Sequence, residues 1–217
     1  MPTILITGAG RGLGRELARQ YAGDGWRVIG TVRGPSDLAE SVPLDVTDTA
    51  ATRRLATRLK GVPIDVLFCN AGVGGKRGNR LGHFDYADWE QVLRVNLLGV
   101  AAVIEALVDN VAASEKKTLC VMSSRLGSIS LSGGETLPYA TSKAALNLLA
   151  KGLAATLAPR GVMVVALSPG WVKTDMGGAS APLSPEASVR GLRRVVAALK
   201  PEDSGKFLGY DGAVIPW

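Results

Sequence analysis

The sequence predicts an α/β chain built on a mostly parallel, doubly wound sheet with helices on both faces. Three observations predict it. Short apolar runs without polar alternation recur along the chain, helical stretches separate them, and small glycine- or serine-bearing turns follow them. A strand covered on both faces is apolar at every position, whereas a sheet with one wet face alternates.

Seven runs read as strands: Thr3–Thr7, Arg27–Val32, Val42–Leu44, Ile64–Cys69, Thr118–Met122, Val162–Leu167 and Lys206–Leu208. Between them, Gly12–Ala22 and Pro138–Ala158 are rich in Ala, Leu and Gly, which suits close packing on a sheet. Asp48 predicts the cap of a helix reaching Leu59, with Thr49 and Ala50 in its first turn. A glycine-rich basic loop, Gly72–Gly82, precedes a long helical stretch from Tyr86 to about Ser114, and Pro185–Leu199 is the last helix. No repeat, linker or composition break divides residues 1–217, so one domain is expected.

With 47% hydrophobic and 20% charged residues, the chain has the composition of a folded globular protein. Its start lacks a charged segment followed by a long apolar one, and no run is read as a membrane span. A cytoplasmic protein without membrane attachment is expected. Cys69 and Cys120 sit inside apolar runs and read as free buried thiols. The net charge of +6 is spread over scattered arginines and lysines with no interleaved aromatics. That pattern argues against nucleic-acid binding and fits a mild field attracting an anionic ligand. His83 is the only histidine, which excludes histidine triads and multi-histidine metal sites; no metal is expected.

In open parallel sheets, ligands bind beyond the carboxyl ends of the strands. Each candidate constellation falls just after a predicted strand. After the first comes TGAGRGLG, Thr7–Gly14, where Gly8, Gly12 and Gly14, with Arg11 and Leu13 between, allow a helix amino terminus to approach a pyrophosphate. Its GxxxGxG spacing differs from GxGxxG, and an ordinary glycine turn is the plain alternative. After the second strand no acidic residue appears until Asp37; Arg33, with Arg11, suits a 2′-phosphate unless both are merely solvated. NADP(H) is therefore favoured, with NAD(H) possible. Asp45, followed by Val46, offers a carboxylate to an adenine amino group. Asn70, Ala71 and Gly72 are small where backbone must come close. Pro169, Gly170, Val172 and Thr174 follow the sixth strand and shape a nicotinamide pocket, Thr174 facing the carboxamide.

Tyr139 and Lys143 lie in the first turns of the helix that Pro138 opens, four residues apart and hence on one face. A tyrosine near pKa 10 needs about 3–4 kcal/mol to become a base near neutrality. An ammonium about 4 Å away supplies about 4 kcal/mol at an effective dielectric near 20. The helix amino terminus adds about 0.3–1 kcal/mol. These magnitudes permit Tyr139 to act as the acid/base, although a YxxxK spacing is common by chance and its plain reading is a helix face.

Taken together, Thr7–Gly14, Asp45, Asn70–Gly72, Asn96, Ser124, Tyr139/Lys143 and Pro169–Thr174 resemble the short-chain dehydrogenase/reductases across essentially the whole chain. Met122–Ser128, Ser142–Asn147, Pro169–Gly178 and the final Ile-Pro-Trp217 are similar to the C-factor-like and sniffer-like carbonyl reductases. The resemblance implies a Rossmann-type fold with a seven-stranded sheet and a homodimer or homotetramer formed through the long helices. It implies that Tyr139 exchanges a proton with the substrate oxygen, which Ser124 hydrogen-bonds. Lys143 then bonds the nicotinamide ribose, and Asn96 holds a water linking Lys143 to solvent. The 15-residue spacing from Ser124 to Tyr139 leaves Ser123 as an alternative to Ser124. Trp171, Met176 and Leu126 suit a substrate pocket or plain packing. Gly177 and Gly178 suit a movable Met176–Leu183 lid over a rather open site. The function implied is reduction of an aldehyde or ketone with NADPH. NAD-dependent oxidation of a secondary alcohol is the second enzyme alternative, and cofactor sensing or signalling on the same fold is an alternative of another class.

Overall fold

The apolar runs do become seven strands of one sheet. The computed structural model describes residues 1–217. The strands are β1 (Thr3–Ile6), β2 (Arg27–Val32), β3 (Ser41–Pro43), β4 (Val66–Cys69), β5 (Thr118–Met122), β6 (Met163–Ser168) and β7 (Phe207–Gly209). They lie in the order β3-β2-β1-β4-β5-β6-β7, and every pairing is parallel. The order reverses direction between β1 and β4, which is where the crevice of a doubly wound sheet opens.

Alternate strand residues feed two cores. Leu5, Ile29, Leu67, Leu119, Val121 and Val164 point to the layer holding α2 (Thr49–Arg58), α4 (Val100–Ala112) and α5 (Leu137–Leu157). Ile4, Ile6, Val66, Phe68, Cys120 and Leu167 point to α1 (Gly12–Gly23) and α6 (Pro185–Ala198). Both faces are dry, so no strand alternates in sequence. Each fully buried Leu, Ile or Phe contributes roughly 1.5–3 kcal/mol. The two cysteines are free and buried, as expected; burial pushes the Cys69 thiol up to about 12.

Helix ends follow their caps. Asp48 accepts from the Ala51 N–H at 3.0 Å at the start of α2, and Ser184 accepts from Ala187 at 3.2 Å before Pro185. Strand β4 starts at Val66 rather than Ile64. The Asp65 carboxylate instead accepts from the Thr3 N–H at 2.8 Å, clamping the entries of β1 and β4.

The long helical stretch departs from expectation in two ways. It is interrupted: α3 (Tyr86–Leu93) passes into a π-turn (Arg94–Gly99) before α4. It is also, by length and composition, apolar enough to cross a membrane over Tyr86–Ala112, with a mean hydropathy of 1.7. The expectation that nothing reaches a membrane span is corrected accordingly. One side of this stretch, Val95, Val100, Val103, Ile104, Leu107 and Val111, is spent on the sheet core. The outer side carries Leu98 and several alanines, which raises the average.

Candidate active site

The glycine loop is braided to the end of β4. The Thr7 hydroxyl oxygen accepts from the N–H groups of Asn70 and Ala71, both at 3.0 Å. The Asn70 amide donates back to the carbonyls of Thr7 at 3.0 Å and Gly8 at 3.3 Å. A Cβ on Gly14 would lie 2.2 Å from the Gly8 oxygen and 2.6 Å from the Asn70 amide nitrogen. Asn70 and Gly14 thus set the loop's shape. Sequence reasoning gave Thr7 and Asn70 no such role, because the contact spans 63 positions.

The ends of β5 and the start of α5 bring the reactive groups together. Thr136 enters α5 at φ 46°, strained for a non-glycine residue, and places Tyr139 in the first turn beside Ser124. The two serines differ in burial. Ser123 is buried and donates to the Asn147 side-chain oxygen at 2.5 Å. Ser124 is half-buried beside Tyr139, and its hydroxyl oxygen accepts from the Leu126 N–H at 3.3 Å. Lys143, 3% exposed, donates to the Met122 carbonyl at 2.7 Å, with its ammonium 5.5 Å from the Tyr139 ring centre.

This geometry reverses the expected electrostatics. Burial pushes Tyr139 up to about 12, opposed by the Ser124 hydrogen bond, and burial pulls Lys143 down to about 8. The ammonium donates to the Met122 carbonyl. Desolvation therefore outweighs its attraction for a phenolate. Tyr139 itself is half-buried, open to the site on one side.

Asn96 sits in the π-turn and is fully buried. Its side-chain oxygen accepts from the Val73 N–H at 2.8 Å, and its amide donates to the Val73 carbonyl at 2.9 Å and the Ser142 hydroxyl at 3.0 Å. The side chain is therefore occupied in bracing the irregular segment that follows β4. A Cβ on Gly72 would lie 3.2 Å from the Asn96 oxygen and 3.6 Å from the Lys143 ammonium. Asn96, Gly72 and Lys143 converge.

Other expected residues divide. Asp45 is exposed, and one carboxylate oxygen is engaged by the Thr47 N–H at 2.9 Å and hydroxyl at 2.7 Å. These bonds first, and Arg33 after them, hold its carboxyl below the usual range. Arg33 is exposed and has no carboxylate partner, whereas Arg11 pairs with Asp175 at 2.8 Å. The Val46 side chain is buried against Gly99 of the π-turn. The Leu13 side chain packs under the loop on the α1 core.

Beyond β6, the Pro169 carbonyl accepts from the Ser188 hydroxyl at 2.7 Å, Gly170 takes φ 79°, and Val172 is buried. The Thr174 methyl approaches the glycine loop, while its hydroxyl oxygen accepts from the Gly177 N–H at 3.1 Å. The lid expected over Met176–Leu183 is pinned. Val172 bridges Leu183, the Trp171 indole donates to the Gly177 carbonyl at 2.8 Å, and Gly178 N–H donates to Thr174. Gly177 serves packing, since a Cβ there would meet the Val172 oxygen at 2.0 Å. Trp171, Met176 and Leu126 remain exposed around the site, and His83 is exposed.

The depressed Lys143 predicts a pH-dependent stability. Below pH 8, folded and unfolded chains both hold the proton and the burial cost is present in full. Between about 8 and 10.5 the unfolded chain binds more protons, so stability rises with pH. That shift corresponds to about 3 kcal/mol, and the lost Met122 bond offsets about 1. Lys143→Met is expected to raise Tm by about 4–8 °C at pH 6.5, a gain that disappears near pH 10. Calorimetry at both pH values checks this; an equal shift at both would contradict it.

A family model described as short chain dehydrogenase matches residues 2–182. The C-signal protein of Myxococcus xanthus is 40% identical over 166 residues, covering 76% of this chain and 99% of that one. Two solved structures superpose across the whole chain. A short-chain dehydrogenase/reductase from Burkholderia multivorans with bound NADP has a TM-score of 0.90 at 34% identity, covering 99% of that chain. The carbonyl reductase Sniffer of D. melanogaster has a TM-score of 0.92 at 29% identity, covering 100% of both. With its all-parallel sheet, braided glycine loop and convergent Ser124, Tyr139 and Lys143, the chain belongs to the short-chain dehydrogenase family of oxidoreductases.

Proposed function

We propose that this protein reduces an aldehyde or ketone to an alcohol with NADPH. The observation that carries the proposal is the meeting of Ser124, Tyr139 and Lys143 at the ends of β5 and the start of α5. The residues present fit a dinucleotide. Gly14 packs directly against the Gly8 carbonyl and the Asn70 amide, Gly12 is left open in the left-handed region at φ 53°, and Arg33 stands unpaired just after β2. When bound, NADPH supplies the hydride. Gly8, Gly12 and Gly14 would hold its phosphates, Asp45 would offer its free oxygen to the adenine, and Ala71, Gly72, Val172 and Thr174 would hold the nicotinamide half. Ser124 positions the carbonyl oxygen and Tyr139 donates the proton to it. Lys143 and Asn96 order the floor beneath. Exposed Trp171, Met176 and Leu126 favour a substrate with an apolar body. Exposed Leu98 and Leu148 on the two long helices support self-association.

The cofactor assignment rests on Arg33. Arg33→Asp is expected to lower kcat/KM with NADPH by about 10- to 100-fold and to favour NADH, since charge-assisted bonds contribute about 1.5–3 kcal/mol. Unchanged NADPH affinity would remove the assignment. A signalling role has support from the resemblance to C-signal. Assaying aldehydes and ketones with both cofactors tests whether turnover exists at all.

A further inference from the structure

We propose that residues 215–217 form a strap that positions the serine segment: the Pro216 and Trp217 carbonyls hold Ser128 and Ser130 so that Ser124 faces Tyr139. The inference rests on the roles of Ser124 and Tyr139 proposed above.

Ser124 leads directly into a tight turn. Its carbonyl accepts from the Gly127 N–H at 2.8 Å, and Arg125 accepts from Ser128 at 3.0 Å. That turn lies against the lysine's own backbone. A Cβ on Gly127 would meet the Lys143 Cβ at 2.7 Å and its carbonyl carbon at 2.8 Å. Asn147 donates to the Gly127 carbonyl at 3.1 Å and accepts from Ser123. The near side of Ser124 is therefore fixed by α5.

The far side is fixed only by the strap. The Ser128 hydroxyl donates to the Pro216 carbonyl at 2.6 Å. The Ser130 N–H and hydroxyl donate to the Trp217 carbonyl at 2.9 and 2.7 Å. These are the only hydrogen bonds that tie residues 128–136 to a distant part of the chain. Residues 129–136 are otherwise exposed, so little packing restrains them. The strap itself is well anchored. Ile215 is buried and donates to the Phe207 carbonyl at 2.8 Å, the Trp217 ring stacks on Phe207 at 5.7 Å, and the Lys151 ammonium lies 5.3 Å from that ring's centre. Trp217, Ser128 and Ser130 are positioning residues: β7 and α5 hold the strap, and the strap holds the turn that carries Ser124.

The test is a double-mutant cycle on carbonyl reduction. Trp217→Ala is expected to lower kcat about tenfold with the NADPH KM within twofold, and Trp217→Phe, which keeps a ring on Phe207, to stay within twofold of wild type. In a Ser124→Ala background, Trp217→Ala is expected to have no further effect. Wild-type kcat in Trp217→Ala, or a full tenfold loss retained without Ser124, overturns the strap. If Trp217→Ala does not fold, the Ser128→Ala/Ser130→Ala double variant takes its place, with a kcat loss of threefold or more expected and an unchanged kcat overturning it. Wild-type kcat in Ser124→Ala would instead sink the role of Ser124 itself, and the strap with it.

Discussion

Tyr139→Phe is expected to lower kcat/KM for carbonyl reduction by about 10²–10⁴-fold, the range that a positioned proton donor contributes. The substitution removes one oxygen and leaves the ring, so its packing and the neighbouring Lys143 ammonium are retained. Cofactor affinity is expected to change by no more than a few-fold. The loss should fall on kcat, because the phenol acts on the oxygen that becomes negative during reduction. The direction of the Tyr139 shift sharpens this. Pushed up to about 12, the group holds its proton through neutral pH and is ready to protonate an alkoxide. Alcohol oxidation needs the opposite form, so its rate should climb with pH while reduction stays nearly flat from pH 6 to 9. Steady-state kinetics of both directions, wild type against Tyr139→Phe, measures the difference; equal turnover by the two proteins would remove Tyr139 from the mechanism. Signalling by a protein without turnover would show the same physiological effect in both.

Most of this fold was legible in the residue order because both faces of the sheet are dry. Unbroken apolar strands, the Asp48 cap and the proline at the head of α5 each declare themselves locally. The reactive residues were legible for a related reason, since strand ends collect them. What escaped depends on contacts that no local pattern encodes. The π-turn at Arg94–Gly99 carries no residue signature, yet it sets the buried position of Asn96. The pairing of Arg11 with Asp175 spans 164 positions. The i, i+4 spacing of Tyr139 and Lys143 fixes a shared helix face, not where a long side chain ends or how deeply each group is buried. Here the lysine turns to the Met122 carbonyl, and burial dominates both groups. Gly177 and Gly178 suggested a hinge, whereas the Val172 carbonyl against Gly177 shows that a missing Cβ also marks close packing.

The same distinction separates two glycines of the nucleotide loop. Gly12 sits at φ 53°, but the nearest atom to a Cβ there is the Thr174 methyl at 3.8 Å. Gly12→Ala meets only the backbone penalty of the left-handed region, roughly 1–2 kcal/mol. Gly14 is helical, so alanine there gains about 1 kcal/mol in propensity. Against that gain, its Cβ would enter the Gly8 carbonyl at 2.2 Å, and relief requires moving the Gly8 backbone and the Asn70 amide together. Overpacking of this kind costs about 1–3 kcal/mol, and a lost pair of buried amide bonds adds about 1–3 more. Gly14→Ala is therefore expected to lower Tm by about 2–20 °C and NADPH affinity at least tenfold, despite its better helix propensity. Gly12→Ala should lower Tm by about 2–8 °C and leave the Asn70 braid intact. Thermal unfolding and cofactor titration of both variants decide between packing and conformation. If Gly14→Ala bound NADPH as wild type does, the Gly8–Gly14–Asn70 contact would not be what shapes the cradle.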